Sequence, residues 1–189
     1  MAERAVKSGI ALEAQQKIHS KYDAQLAGQI VHWIEKVGGF NGLANGNAVE
    51  ADDFIELFRD GQRLCQLANA LEPNVIKKVN TSALAFKKME NISFFLSFAE
   101  KHVNKTELFQ TVDLFEGQDP NAVLVCLAAL ARKGDKFGKE AIGPKESQGE
   151  KRVWTEEQLR AGDSIIGLQM GSNKGANASG VIIGNTRHM

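Results

Sequence analysis

The sequence predicts an all-α protein with a largely irregular C-terminal tail, and three observations carry that prediction. Apolar residues recur at steps of three and four through most of the first two thirds of the chain. A run that is apolar nearly all round, Ala122 to Ala131, follows an Asp119-Pro120 step. From Ile165 onward the chain turns rich in glycine and amides around a few apolar anchors. The 189 residues suffice for one ordinary domain with appendages, and 43% hydrophobic composition is normal for a soluble globular chain.

Ile10 to His19 suits a short helix, with Leu12 and Ile18 too sparse to fix its packing face. From Asp23 onward, Leu26, Ile30, Trp33, Ile34 and Val37 mark one amphipathic helix, and Gly38-Gly39 supplies the left-handed stop. Residues 41–49 form a loop rich in Gly and Asn, after which Asp52 or Asp53 is the expected N-cap of a new helix. Phe54, Leu57, Phe58, Leu64, Leu67 and Leu71 carry the pattern across Asp60-Gly61, read as a structural turn or a tolerated glycine, and Pro73 ends it. The strongest stripe runs from Phe86 to Val103 through Met89, Ile92, Leu96 and Ala99, widened by Phe95, and it must be buried. Phe109 and Leu114 occupy a connector. Asp119 then caps a helix with Pro120 at its first position, where the missing amide hydrogen costs nothing. A helix without a polar face belongs at the centre of a bundle, so Ala122 to Ala131 is the expected core. After Arg132 the apolar content falls and the chain reads as a linker, interrupted by a brief helical turn after Trp154 with Thr155 and Gln158 as a capping box.

Net charge is zero, but residues 1–131 hold 13 Lys/Arg against 16 Asp/Glu, a net of −3, and residues 132–189 hold 10 against 7, a net of +3. No strongly basic stripe argues for nucleic acid, whereas the mildly basic tail suits an acidic partner. Cys65 and Cys126 lie within apolar helical patterns with no ligand at metal spacing, so both are expected to be buried free thiols. No apolar leader opens the chain, and the ten residues of the longest apolar run fall well short of the about 20 that a membrane span needs, so a cytoplasmic protein with no membrane span is expected. The glycosylation-like triplets at Asn80, Asn91, Asn104 and Asn177 then carry no weight. No phosphate loop, dinucleotide fingerprint, zinc-protease pattern or nucleophile elbow occurs, so neither catalysis nor a cofactor is expected. Asp113, Glu116 and Asp119 lack the spacing of a calcium loop, and His19, His32, His102 and His188 lack metal spacing. Lys77-Lys78 and Lys87-Lys88 are short charge runs of the kind that usually form solvated faces.

The stretch from Phe54 to Pro73 resembles the first signature of a calponin homology domain. So do Phe86 to Leu96, Phe109 to Glu116 and Asp119 to Arg132, in the family's order and spacing. The tail Ile166-Gly-Leu-Gln-Met-Gly-Ser-Asn-Lys-Gly-Ala resembles the calponin-like repeat, and the two together are similar to the calponin and transgelin family. The resemblance implies an N-terminal extension over residues 1–22, a calponin homology domain over 23–133 with about four main helices and short connecting ones, a linker over 134–163 and one repeat over 164–189. It implies an actin-filament-associated structural or regulatory protein of muscle or cytoskeleton. Single domains of the calponin type are usually poor actin binders and dock signalling or other cytoskeletal proteins. The F-actin contact is therefore expected in the repeat, at Ile166, Gly167, Leu168, Gln169, Met170, Gly171, Asn173, Lys174, Gly175 and Arg187. The alternative is a signalling adaptor whose helical domain docks a kinase or scaffold with little direct actin binding.

Two departures from the family pattern stand in the tail. Many repeats read Ala-Ser-Gln with a serine tied to phosphorylation control, where this chain has Ala176-Asn177-Ala178, so Ser172 and Ser179 become the candidate phosphorylation sites. The closing element, commonly Gly-Thr-Arg-Arg-His, appears as Gly184-Asn185-Thr186-Arg187-His188, one arginine short, so a weaker electrostatic contact is expected there.

Overall fold

Asp23 starts the main body. Its carboxylate accepts from the amides of Gln25 and Leu26 at 2.9 and 3.1 Å, so α2 (Ala24–Gly38) begins there, and Gly39 at φ 70° closes it in the expected left-handed cap. In this computed structural model residues 8–43, 46–144 and 153–163 are described. The chain divides into two units, one ending at Glu146 and the other beginning at Ser147.

Ahead of α2 lies α1 (Ile10–His19), which packs on the later helix α7 (Pro120–Arg132) and leaves Ile10 and Leu12 exposed. Tyr22 ties this entry to the body: its ring meets Phe54 and its hydroxyl donates to the Val49 carbonyl at 2.9 Å. The next helix, α3 (Ala51–Phe58), has Glu50 at its N-cap without a side-chain bond. Asp52 and Asp53, the expected caps, stand in its first turn instead, where the helix dipole favours their charge.

The pattern read through Asp60-Gly61 is broken into α3 and α4 (Gln62–Leu71), with Gly61 at φ 69° between them. A β-carbon on Gly61 would sit 2.7 Å from the Asn91 β-carbon and 2.8 Å from the Ile92 nitrogen, because α5 (Ala85–Ala99) crosses at backbone distance. Asn91 is 1% exposed and fully engaged. Its amide nitrogen donates to the carbonyls of Asp60 and Asn80 at 3.0 and 2.9 Å, and its oxygen accepts from the Asn80 amide at 2.9 Å. A buried polar side chain in that position is retained because every bond it lost from water is replaced. Asn69 treats the same loop likewise, exchanging two hydrogen bonds with the backbone of Ile76.

The buried face of α5 is Asn91, Ile92, Phe95, Phe98 and Ala99, with Val103 beyond its end, so the expected stripe is rotated and Met89 and Leu96 fall at its margin. Phe98 takes the place periodicity assigned to them, its ring meeting those of Phe95, His102 and Phe137 at tilted angles. A short 3-10 turn (Lys105–Glu107) and α6 (Thr111–Phe115) lead to α7, where Asp119 accepts from the Ala122 amide at 2.9 Å and Pro120 opens the helix. Central burial of α7 holds as expected: it packs against α1, α2, α3, α6 and both 3-10 turns.

The residues from Gly134 do not begin a free linker. A 3-10 turn (Gly134–Phe137) reverses the chain, Ile142 donates to the Ala131 carbonyl at 3.1 Å, and the Trp33 indole donates to the Glu140 carbonyl at 2.6 Å. Lys36 pairs with the Glu140 carboxylate. Low apolar content concealed this strap because its attachment runs through backbone carbonyls, with Phe137 and Ile142 adding partly buried packing.

Two outcomes follow. Gly39 and Gly61 share a positive φ, but only Gly61 is crowded. Gly39→Ala is expected to cost about 1 kcal/mol in urea unfolding and Gly61→Ala roughly 2–4 kcal/mol; equal losses would remove the close crossing as the reason for that glycine. Both thiols are buried and pushed up to about 12 from an ordinary value near 9.0, chiefly by burial. Native protein at pH 8 is expected to resist iodoacetamide and to react at both cysteines in denaturant. The folded state keeps protons that the unfolded chain releases above pH 9, so this contribution to stability is complete below pH 9 and is lost as pH rises toward 12; unfolding midpoints recorded across that range test it.

Candidate functional site

The repeat residues Ile166 to Gly175 and Arg187, and with them Ser172 and Ser179, lie outside the described residues. In the second unit α8 (Glu156–Asp163) is described, and it opens with the expected capping box: the Thr155 amide donates to the Gln158 side-chain oxygen at 3.1 Å, and the Gln158 amide donates to the Thr155 hydroxyl at 3.3 Å. Val153, Trp154 and Leu159 are exposed there.

On the helical body the acidic residues that resemble a catalytic or metal set are taken up by local structure. Asp113 accepts from the Gln110 amide at 2.6 Å, Glu116 from the Gln118 side chain at 2.7 Å, and Asp119 caps α7. Burial raises the Asp113 pKa, opposed by the Gln110 hydrogen bond and assisted by the charge of Asp119. Among the described residues no group of three or more His, Cys, Asp or Glu could hold a metal ion, and no helix is long and apolar enough to cross a membrane. A polar cleft of about 540 Å³ beside α2 is lined by Gln25, Gln29, His32 and Glu35, but Glu35 already accepts from the Leu43 amide and pairs with His32.

A second groove, of about 390 Å³, has a different character. It runs between α5 and the segment 75–78, with Val75, Ile76, Phe94 and Phe98 among its lining residues. Lys77 and Lys78 stand on one wall and Lys101 on the other. The lysine pair expected to be a solvated face thus borders an apolar furrow. Phe94 is 37% exposed on α5, and Lys101 lies in the turn just beyond the helix's end. Ser93 and Ser97 are exposed, but their hydroxyls are taken up by the helix's own backbone: Ser93 donates to the Met89 carbonyl and Ser97 to the Ser93 carbonyl, both at 3.0 Å. Glu90, close by, is held below the ordinary carboxylate range by a hydrogen bond from Lys87, aided by Asn80 and by the charges of Lys87 and Lys78.

Comparison with known proteins agrees with this architecture. Residues 24–136 match the calponin homology (CH) domain, and residues 166–189 match the calponin family repeat. Myophilin of Echinococcus granulosus is 38% identical over 185 residues, covering 95% of this chain and 94% of the relative. Two solved structures from Schizosaccharomyces pombe share the fold at 22% identity, each across 79% of this chain and 87% of its own. They are the calponin-homology domain of Rng2, with a TM-score of 0.53, and that of an IQGAP protein, with 0.51. With both modules matched in order, and a relative aligned along nearly its whole length, the chain belongs to the calponin family.

Proposed function

We propose that this chain binds F-actin mainly through its C-terminal repeat, while the helical domain tunes the assembly or recruits other proteins. Membership of the calponin family gives it a cytoskeletal, actin-associated role. The observation that carries the finer reading is the repeat match over residues 166–189, behind a single CH domain, in a chain whose tail is net positive while its first 131 residues are net negative. On this reading Lys174 and Arg187 meet carboxylates on the filament. Ile166, Leu168 and Met170 enter an apolar groove, and Gly167, Gly171 and Gly175 let the backbone approach closely. One copy lacks the gain in effective concentration of linked repeats, so binding is modest and salt-sensitive.

Co-sedimentation with F-actin tests the assignment. Deleting Ile165–Met189 is expected to abolish most pelleting, and Lys174→Ala and Met170→Ala to weaken it each by on the order of threefold to tenfold. Undiminished pelleting of the deletion would move the contact to the helical domain; equal pelleting of wild type and both point variants would remove the proposed contact chemistry.

A further inference from the structure

The groove between α5 and residues 75–78 has three properties that belong together. Its floor is apolar, formed by Val75, Ile76, Phe94 and Phe98, in a volume within the range of ligand sites. Its rim is basic: Lys77, Lys78 and Lys101 line it with no carboxylate, on a part of the chain that is net −3, and none of the three forms a salt bridge among the described residues. Glu90, whose pKa Lys78 helps to lower, is hydrogen-bonded to Lys87 and Asn80.

The third property is stiffness. Asn69 binds the backbone of Ile76 from α4, and Asn91 binds the backbone of Asn80 from α5, so the wall that carries Val75 to Lys78 is anchored to both neighbouring helices. Ser93 and Ser97 satisfy their hydroxyls on α5's own carbonyls and ask nothing of a ligand. A preformed apolar furrow avoids the ordering cost that a mobile one would pay on binding.

From this geometry we infer that the groove docks an acidic amphipathic peptide segment of a partner protein, with apolar side chains on the Phe94–Ile76 floor and flanking carboxylates on Lys77, Lys78 and Lys101. Placement of the lysines favours this occupant over an anionic lipid headgroup. They stand on opposite walls of an apolar furrow, which matches charges on both sides of an apolar anchor rather than one compact phosphate cluster. None of the groove's residues belongs to the repeat, and the inference stands whether or not the repeat carries the filament contact.

The experiment uses the full 189-residue chain, labelled with nitrogen-15, and a synthetic peptide of repeated Glu-Leu-Glu-Glu-Leu-Leu-Glu. A control peptide has every Glu replaced by Lys, and a third arm uses vesicles of phosphatidylcholine with phosphatidylserine. The acidic peptide is expected to shift the amides of Lys77, Lys78, Ser97 and Lys101 saturably, and added salt to weaken it. Lys78→Glu with Lys101→Glu should weaken binding about tenfold or more, as should Phe94→Ala, with thermal unfolding of the variants confirming that they fold. Absence of shifts in the groove, equal binding of the lysine peptide, indifference to charge reversal, or vesicles displacing these amides when the peptide does not, would each overturn the assignment.

Discussion

One side-chain amide holds the body's layout in register. Asn91 sits in the middle of α5, where apolar periodicity alone would place a leucine, and it spends both donors and its acceptor on two separate stretches of backbone. One is the Asp60-Gly61 turn that separates α3 from α4; the other is the loop that returns the chain from α4 to α5. The thiol of Cys65 donates to the Asn91 carbonyl at 3.3 Å, adding a contact from α4 itself. Because α5 must approach Gly61 at backbone distance, the residue at 61 has no room for a side chain and the residue at 91 must be short and polar. Replacing Asn91 with an apolar residue leaves the carbonyls of Asp60 and Asn80 and the Asn80 amide without that mate, and such groups cost more than the bond they formed was worth.

The same loop also defines the surface chemistry. Asn69 and Asn91 take up its polar backbone, so its valine and isoleucine are free to pack sideways and its two lysines are left at the edge. The groove is thus a by-product of how α4 and α5 are joined, and its shape is set by buried amides that a ligand never touches. The acidic side chains elsewhere on the body are largely committed to caps, loop closures and short ion pairs, which is why the body's excess of negative charge yields no metal-binding cluster among the described residues.

What could be read from the sequence was whatever is encoded within one or two helical turns. The caps at Asp23 and Asp119, the stop at Gly39, the box at Thr155 and Gln158 and the all-round apolar α7 are local, and each appears where its residues point. Features that join distant segments were hidden. The strap at 134–142 is fixed by Trp33, more than a hundred residues earlier. The role of Asn91 depends on the backbone of Asp60 and Asn80, 31 and 11 residues away, which no local pattern records. Asp52 and Asp53 resemble caps because first-turn and capping positions favour the same residue types. Composition marks the tail as a strip without a core of its own and with a net positive charge, and it is the family likeness that reads that strip as a repeat.

The indole bond from Trp33 to the Glu140 carbonyl has a mechanical meaning. Tension applied to the chain beyond residue 144 does not reach the last turn of α7 directly. It passes first through the Ile142–Ala131 and Glu140–Trp33 hydrogen bonds and the Lys36 ion pair, which distribute it onto α7 and α2 together. The strap acts as a strain relief of the kind used where a cable leaves its housing: a tug on the C-terminal segment meets two hydrogen bonds and an ion pair before it can unwind a helix of the core.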